Sequence, residues 1–403
     1  MPTMQQVPSS SIDLYADDVV LEPYDVYCEL REAGPLVYLE PNEVWAVTRY
    51  AGARSVLRDW EHFSSHRGLA LNEPVNDQMV GTVLASDPPD HTALRRVLSS
   101  RLSPAAVRDL GQQIDEQAEK VLAPLVAKGE FDAAKDLAAV FPITVIADLI
   151  GLPEEGRDRL LLWAEASFDS MGPENDRTHQ AMPPVGEMWR YMGEVATRDN
   201  LTPGGWGHAL YEAADRGEIE VGSCIPLLGA YLAAGMDTTV NSIGSGMMLF
   251  AQHPDQWQAL RADPELIRGA CNEILRLESP VQKFSRRVAE TQTLEGVELP
   301  AGSRTLVLFA SANRDEDKWD RPTEFDIGRN PVDHLGFGFG VHRCAGSALA
   351  MLEMESVFRS LARRVERIEI TGEPERKINN CVRGLHELPV SVSQAAQVDA
   401  TAP

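Results

Sequence analysis

The stretch HLGFGFGVHRCAG, residues 334–346, sets three glycines two apart and then a cysteine one position after an arginine. Gly336, Gly338 and Gly340 clear side chains from one side of the backbone, so a flat or bulky group can come very close to it. Cys344 follows, and Gly346 opens SALAMLEMESVFRSLARRVE, which has the spacing of a long amphipathic helix. A sulfur at a helix start lies near unpaired backbone N–H groups and the positive end of the dipole, which favours thiolate. Taken alone, the loop also reads as a buried structural cysteine beside a glycine-rich turn. A dinucleotide-binding glycine loop does not fit, because no apolar strand leads in and no acidic residue follows at the right spacing.

A thiolate beside a space left by glycines suits an axial ligand to haem iron, where sulfur donates electron density that favours O–O cleavage. A second stretch weighs toward that reading. LLGAYLAAGMDTTVNSIGSGMMLFAQHP, residues 227–254, reads as one long, largely buried helix closed by Pro254. Asp237 and Thr238 sit in its middle, directly after Ala234-Gly235. An acid and a hydroxyl inside an apolar helix are costly unless they have partners. The glycine permits a local opening where a diatomic ligand could lie. The plainer alternative is that Thr238 bonds back to its own helix.

Third, CNEILRLESP places Glu273 and Arg276 at i and i+3, so they can pair on one helix face. Apolar neighbours Ile274, Leu275 and Leu277 point to a buried pair.

Composition narrows the class. The chain has 403 residues, with 37 Lys+Arg against 61 Asp+Glu, a formal charge of −24. That balance argues against nucleic acid or an anionic membrane as main partners, since both need dense positive surface. The longest nearly apolar run, CIPLLGAYLAAGM, is too short to span a bilayer. The amino end has neither the basic nor the apolar region of a signal peptide. Cys28, Cys224, Cys271, Cys344 and Cys381 are scattered and odd in number, as expected of reduced thiols in a cytoplasm.

Along the chain, EPYDVYCELREAG (22–34) reads as a helix and residues 35–50 as a hairpin. From Asp87 to about residue 280 helical periods dominate. Within that region SPAAVRDLGQQIDEQAEKVLAPLVAKG (103–129) reads as one helix capped by Ser103. Strand-like pieces return near 293–309 and 366–393. The expectation is a mainly α fold with small β-sheets: a flexible lead over 1–20, one domain over 21–395, and a flexible tail over 396–403.

Together these motifs resemble the cytochrome P450 family, and the resemblance runs from about residue 20 to 393. FGFGVHRCAG matches its haem-binding signature, AGMDTT its oxygen-activation segment, EILR its E-x-x-R pair, and DPPDHTALRR the helix crossing the haem edge in bacterial soluble members. The resemblance implies haem b between a long central helix and the cysteine loop of a single triangular domain. Cys344 would ligate the iron, and Phe337, Gly338 and Gly346 would line the porphyrin. His91, Arg95, Arg286 and His342 would meet the propionates, with Arg287 as the alternative to Arg286. Asp237 and Thr238 would deliver protons during reductive activation of O2. Glu273, Arg276 and Arg329 would form a structural network, although Glu324 stands where the common pattern has arginine. Electrons would come from NAD(P)H through a ferredoxin reductase and an iron–sulfur ferredoxin. That partner would dock on a basic patch including Arg96, Arg101 and Arg343. A cytoplasmic monomer is expected.

Substrate loops of this family fall at 63–86 and 163–192. Phe168, Met171, Met182, Met188, Trp189 and Met192 could line a pocket or form ordinary core, while Ala234, Val281 and Phe284 are expected to face it. AGMDTTVNSIG, ESPVQ, GSRTLVLFASANRD and INNCVRGLHELPV are similar to bacterial members that oxidise methoxybenzoates. That similarity implies O-demethylation of a small methoxy-aromatic. Gly229-Ala230-Tyr231 and Gln78-Met79-Val80-Gly81 offer a carboxylate almost nothing. A neutral guaiacol or syringol is therefore favoured over methoxybenzoate, and both over a terpene. A peroxide-driven peroxygenase and a non-catalytic haem sensor are the rival readings, and the Asp237–Thr238 pair argues against each.

Overall fold

The structure, a computed structural model, describes residues 7–395. The expected tail, 396–403, and the first six residues lie outside the described part. Residues 7–20, expected as a loose lead, are packed instead. Ser9–Ser10 (β1) pairs in parallel with Leu36–Leu39 (β2). Leu14 and Tyr15 are buried with Tyr27 and Leu30, because two large apolar side chains gain more from that contact than from water.

β2 and Val44–Val47 (β3) form the hairpin that the alternating pattern predicts, with Leu36 opposite Val47. Phe63–Ser64 (β4), Lys283–Val288 (β5) and Arg304–Leu308 (β6) complete a six-stranded sheet in the order β1-β2-β3-β6-β5-β4. Smaller sheets carry 130–132, 365–370 and 389–394, and pair Gln292–Leu294 with Val297–Leu299 and Glu375–Arg376 with Leu385–Glu387.

Helices make up the rest: Tyr24–Ala33 (α1), Tyr50–Arg58 (α2), Asp90–Leu102 (α3), Gly111–Lys128 (α4) and Leu160–Asp169 (α5). They continue with Asp176–Glu194 (α6), Cys224–Gly235 (α7), Asp237–Gln252 (α8), Ile267–Glu278 (α9) and Ser347–Arg364 (α10). The single helix predicted over 103–129 is two. Pro104–Arg108 ends before Asp109, and α4 starts afresh at Gly111, where a poor helix former lets the chain turn. Ser103 does cap the first piece, accepting from the Ala106 amide at 3.3 Å.

The central helix also divides, at Met236 (φ −116°, ψ −69°), so that Asp237 heads α8. This is the opening that Gly235 permits. α8 is buried on nearly every side, as a helix at the centre of a large core must be. α9 and α10 pack against it, and α4 against α10. Phe250 on α8 is ringed by the edges of Trp257, Phe325 and Phe358, with centroids 5.1–5.5 Å away. α5 and α6 pack on each other and on α7, which leaves a cavity between them, α8 and the cysteine loop.

Candidate active site

The cysteine loop is held by its own backbone. The Gly338 amide donates to Leu335 O at 2.8 Å, Cys344 N to Phe337 O at 2.8 Å, and Arg343 N to Gly340 O at 3.1 Å. Two of the glycines have different reasons. Gly338 (φ +66°) opens to the cavity, where an added Cβ would meet nothing nearer than His342 O at 3.9 Å. Gly340 (φ +73°) instead backs onto α2, where a Cβ would sit 2.2 Å from Leu57 O. The sequence reading put all three glycines beside the bound group. For Gly340, which is not among the cavity-lining residues, the structure corrects it: close packing of backbone on backbone requires that glycine.

Cys344 is surrounded by protein, yet its side chain is open because it faces the cavity, together with Gly336, Phe337, Gly338 and Gly346. Burial pushes its thiol upward, and the Gly346 amide with Arg95 and Arg343 pulls it back in part. A thiol so placed loses its proton when a metal takes that place. The cavity has a volume of about 310 Å³.

Basic groups gather at one end of the cavity. Arg95, on α3, lines it and donates to Arg343 O. Arg286 lines it from β5 and is buried, whereas Arg287 is exposed. The choice between the two follows from strand geometry. Successive side chains alternate, so Arg286 shares the inward face with Phe284. The His91 and His342 rings lie against each other, tilted by 56°, with centroids 4.3 Å apart. Burial first, then the neighbouring His342 and Arg95 charges, push His91 down to about 4. Burial holds Arg286 at about 10. His91 Nε2 and His342 Nε2 are buried with no hydrogen-bond partner. Two desolvated arginines beside buried imidazole nitrogens that lack partners fit a group carrying carboxylates. An open sulfur at the cavity floor fits a thiophilic metal. Haem presents both, so this donor set suits it.

Above the cysteine loop the α7–α8 break aims Asp237 away from the cavity and Thr238 into it. Asp237 is fully buried. Its Oδ1 accepts from Asn241 Nδ2 at 3.1 Å and lies 3.5 Å from Lys377 Nζ, which also pairs with Glu165. Its Oδ2 has no partner. Burial raises its pKa to about 6, against the pull of Lys377. The Thr238 hydroxyl donates back to Ala234 O at 3.3 Å, as the plainer reading had it. That bond spends the proton but leaves lone pairs turned to the cavity. Lys377 and Glu165 were not singled out from sequence. They lie 140 and 72 positions from Asp237, and no local pattern links such residues.

The walls are apolar. Phe168, Ala234, Val281 and Phe284 all line the cavity, as do Met171, Met188 and Trp189. Met192 does not; it is fully buried in the main core. Met182 packs beside Leu69 and Phe168, outside the lining. The Phe168 and Phe284 rings lie nearly parallel, 13° apart, with centroids at 6.4 Å. The titratable lining residues are Arg95, Arg286, His342 and Glu353; burial holds His342 and Glu353 toward their neutral forms, so the two arginines carry the charge.

Glu273 and Arg276 sit away from the cavity and are fully buried as a two-pronged pair at 2.7 and 2.8 Å. Arg329 Nε reaches Glu273 Oε1 at 3.1 Å. Arg276 also donates to Asn313 O, Pro322 O and Glu324 O, so Glu324 contributes its carbonyl. Asn313 Oδ1 then accepts from Leu335 N at 2.7 Å, which ties the network to the base of the cysteine loop.

Comparison with known proteins agrees with this geometry. The family model described as "Cytochrome P450" matches residues 224–390. The chain is 40% identical to cytochrome P450 CYP199A2 of Rhodopseudomonas palustris, over 96% of this chain and 95% of that one. It is 33% identical to linalool 8-monooxygenase of Pseudomonas putida, over 96% and 99%. Among solved structures, Mycobacterium marinum cytochrome P450 CYP268A2 in complex with pseudoionone superposes with a TM-score of 0.86 at 28% identity, covering 95% and 99%. CYP109E1 from Bacillus megaterium with testosterone gives 0.85 at 26% identity, covering 93% and 99%. With the cysteine loop, the divided central helix and the buried E-x-x-R pair in one fold, the chain belongs to the cytochrome P450 family and is a P450 monooxygenase.

Proposed function

We propose that this monooxygenase removes the methyl group of a small, neutral methoxy-aromatic of the guaiacol or syringol type. The observation that carries the reading is the cavity wall. Two parallel phenyl rings and a set of methionines suit a flat apolar ring. No lining residue away from the cysteine end carries a positive charge to pair with a benzoate. A carboxylate there would find only neutral donors such as Tyr231, Gln78 and Ser170, which offset the cost of burying a charge less well than a cation does.

Cys344 would hold the haem iron by its sulfur, while His91, Arg95, Arg286 and His342 would hold the propionates. The haem, when bound, supplies reductive activation of O2. Phe168 and Phe284 orient the aromatic ring, and Ala234 leaves room for the methoxy group beside Thr238. Lys377 and Glu165 keep the Asp237 carboxyl poised, and Asp237 relays protons to the Thr238 side of the cavity. Thr238 positions the accepting water through its free lone pairs. The apolar wall excludes other water, so protons arrive by this route. The balance is aryl–OCH3 + O2 + 2 electrons + 2 protons → aryl–OH + formaldehyde + water. Hydroxylation of the methyl group gives a hemiacetal, which loses formaldehyde.

The electrons come from NAD(P)H through a reductase and a ferredoxin, docked on the surface that carries exposed Arg96 and Arg343. Arg101 is half-buried and contributes less. Among the described residues no helix is long and apolar enough to cross a membrane. All five cysteines are free, in keeping with work in a reducing cytoplasm.

A second reading has its own support. One relative is named for linalool, and one structural neighbour holds pseudoionone, so hydroxylation of a small terpenoid is the alternative. The test is a substrate panel with a ferredoxin system, scored by formaldehyde per NADH. Guaiacols should give about one formaldehyde per NADH. Hydroxylated terpenoid without formaldehyde would replace the first reading with the second, and turnover from peroxide alone would overturn both.

A further inference from the structure

Asp87 stands immediately before Pro88-Pro89 at the start of α3, among the basic groups just described. No part of the proposed reaction uses it. Its Oδ2 accepts from Ser64 Oγ and from His66 N at 3.3 Å, and its Oδ1 from Ser65 N at 3.1 Å. Its backbone carbonyl accepts from His91 N at 3.0 Å. His342 Nε2 lies 3.8 Å from Oδ1, too long for a hydrogen bond, and burial holds the ring toward its neutral form, so this is a close approach that becomes an ion pair only on protonation. Burial works against its charge, but His342, Ser64 and the two amides outweigh burial and hold the acid at about 2.

These contacts join three segments. The Ser64–His66 turn follows β4, which pairs with β5 at Ser64↔Arg287, next to Arg286. α3 carries His91 and Arg95, and the cysteine loop carries His342. We propose that Asp87 is a positioning residue: its carboxylate ties the Ser64–His66 turn to the start of α3 and lies against His342 of the cysteine loop, and so keeps in register the segments whose side chains meet the haem propionates. The proposal rests on the assignment of His91, Arg95, Arg286 and His342 to those propionates. Bonds from the 64–66 turn occupy the carboxylate, so it cannot swing out to neutralise the arginines. It acts as a fixed anion that orders the cations, as outer partners order the ligands of a metal.

The test uses purified holoprotein and two readouts other than turnover: haem transfer to excess apomyoglobin, and the ferric/ferrous midpoint potential. Asp87→Asn keeps an acceptor for the turn but removes the charge. It should speed haem loss about tenfold and raise the potential, because removing a nearby anion favours the extra electron. Asp87→Glu should restore much of both. Ser64→Ala, which leaves the acid in place and cuts one tether, should speed haem loss about threefold, and covers the case in which Asp87→Asn fails to fold. Arg286→Ala should also speed haem loss, and the double variant Asp87→Asn/Arg286→Ala should be little worse than either single one. Additive effects, or an unchanged potential and haem loss in Asp87→Asn while Arg286→Ala loses haem, would overturn the role of Asp87 alone. Haem loss unchanged in Arg286→Ala would overturn the propionate assignment, and this inference with it.

Discussion

Asp237 is a side chain costly to the fold that the proposed reaction would put to use. It is buried, one of its oxygens has no partner, and its pKa sits at about 6 in place of 3.8. The folded state therefore binds its proton more tightly than the unfolded state, and stability falls as pH rises from about 4 through 6. Asp237→Asn should be more stable than the parent well above pH 6, by up to about 3 kcal/mol, and the difference should vanish below pH 4. Denaturant titrations at pH 4 and pH 7.5 measure this. The same substitution should cost activity and remove the limb of the rate profile that descends as pH rises through about 6, where the acid form is lost. Thr238→Ala should keep NADH consumption while formaldehyde per NADH falls severalfold and peroxide appears in its place. Unchanged coupling would remove Thr238 from the proton route.

Among the elements, the cysteine loop and the network beneath it were the most legible in the sequence. Glycines, cysteine and E-x-x-R are short-range patterns, and each places its own chemistry. The hairpin over 35–50 was legible for the same reason, since alternation is local. What stayed hidden depends on distant contacts. Nothing near Gly340 announces that Leu57 O will lie against it, and nothing near Asp237 announces Lys377. The helix over 103–129 was misread because one weak glycine decides between bending and continuing. Helical spacing alone could not tell Met192 in the core from Met188 on the cavity wall. The two loop glycines separate by experiment. Gly340→Ala should lower stability by more than about 1 kcal/mol, visible in urea titrations, because strain at positive φ adds to a backbone clash. Gly338→Ala shares the positive-φ strain but has open space beside it, so it should cost less stability than Gly340→Ala while weakening haem retention. Equal effects from both would contradict the different reasons assigned to them. Arg276→Ala, which leaves Glu273 buried with Arg329 and the Asp326 amide, should cost about 3–5 kcal/mol.

For the whole molecule, a charge of −24 means that an acidic electron carrier is repelled almost everywhere. Docking then depends on local cations. Arg96 and Arg343 are exposed on the cysteine side, and Arg54 and Arg58 cover Phe339 there. Arg96→Glu with Arg343→Glu should slow reduction by ferredoxin about tenfold or more and flatten its dependence on ionic strength. Stopped-flow reduction at two salt concentrations decides it, and unchanged rates would move the docking face elsewhere. All of these expectations depend on the Cys344 sulfur being bonded to haem iron. The most direct measurement is the absorption spectrum of the dithionite-reduced, carbon-monoxide-treated protein beside that of Cys344→Ala. The parent should show the strongly red-shifted Soret band of thiolate-ligated iron, and the variant should lose it. A parent without that band, or a variant that keeps it, would contradict the account.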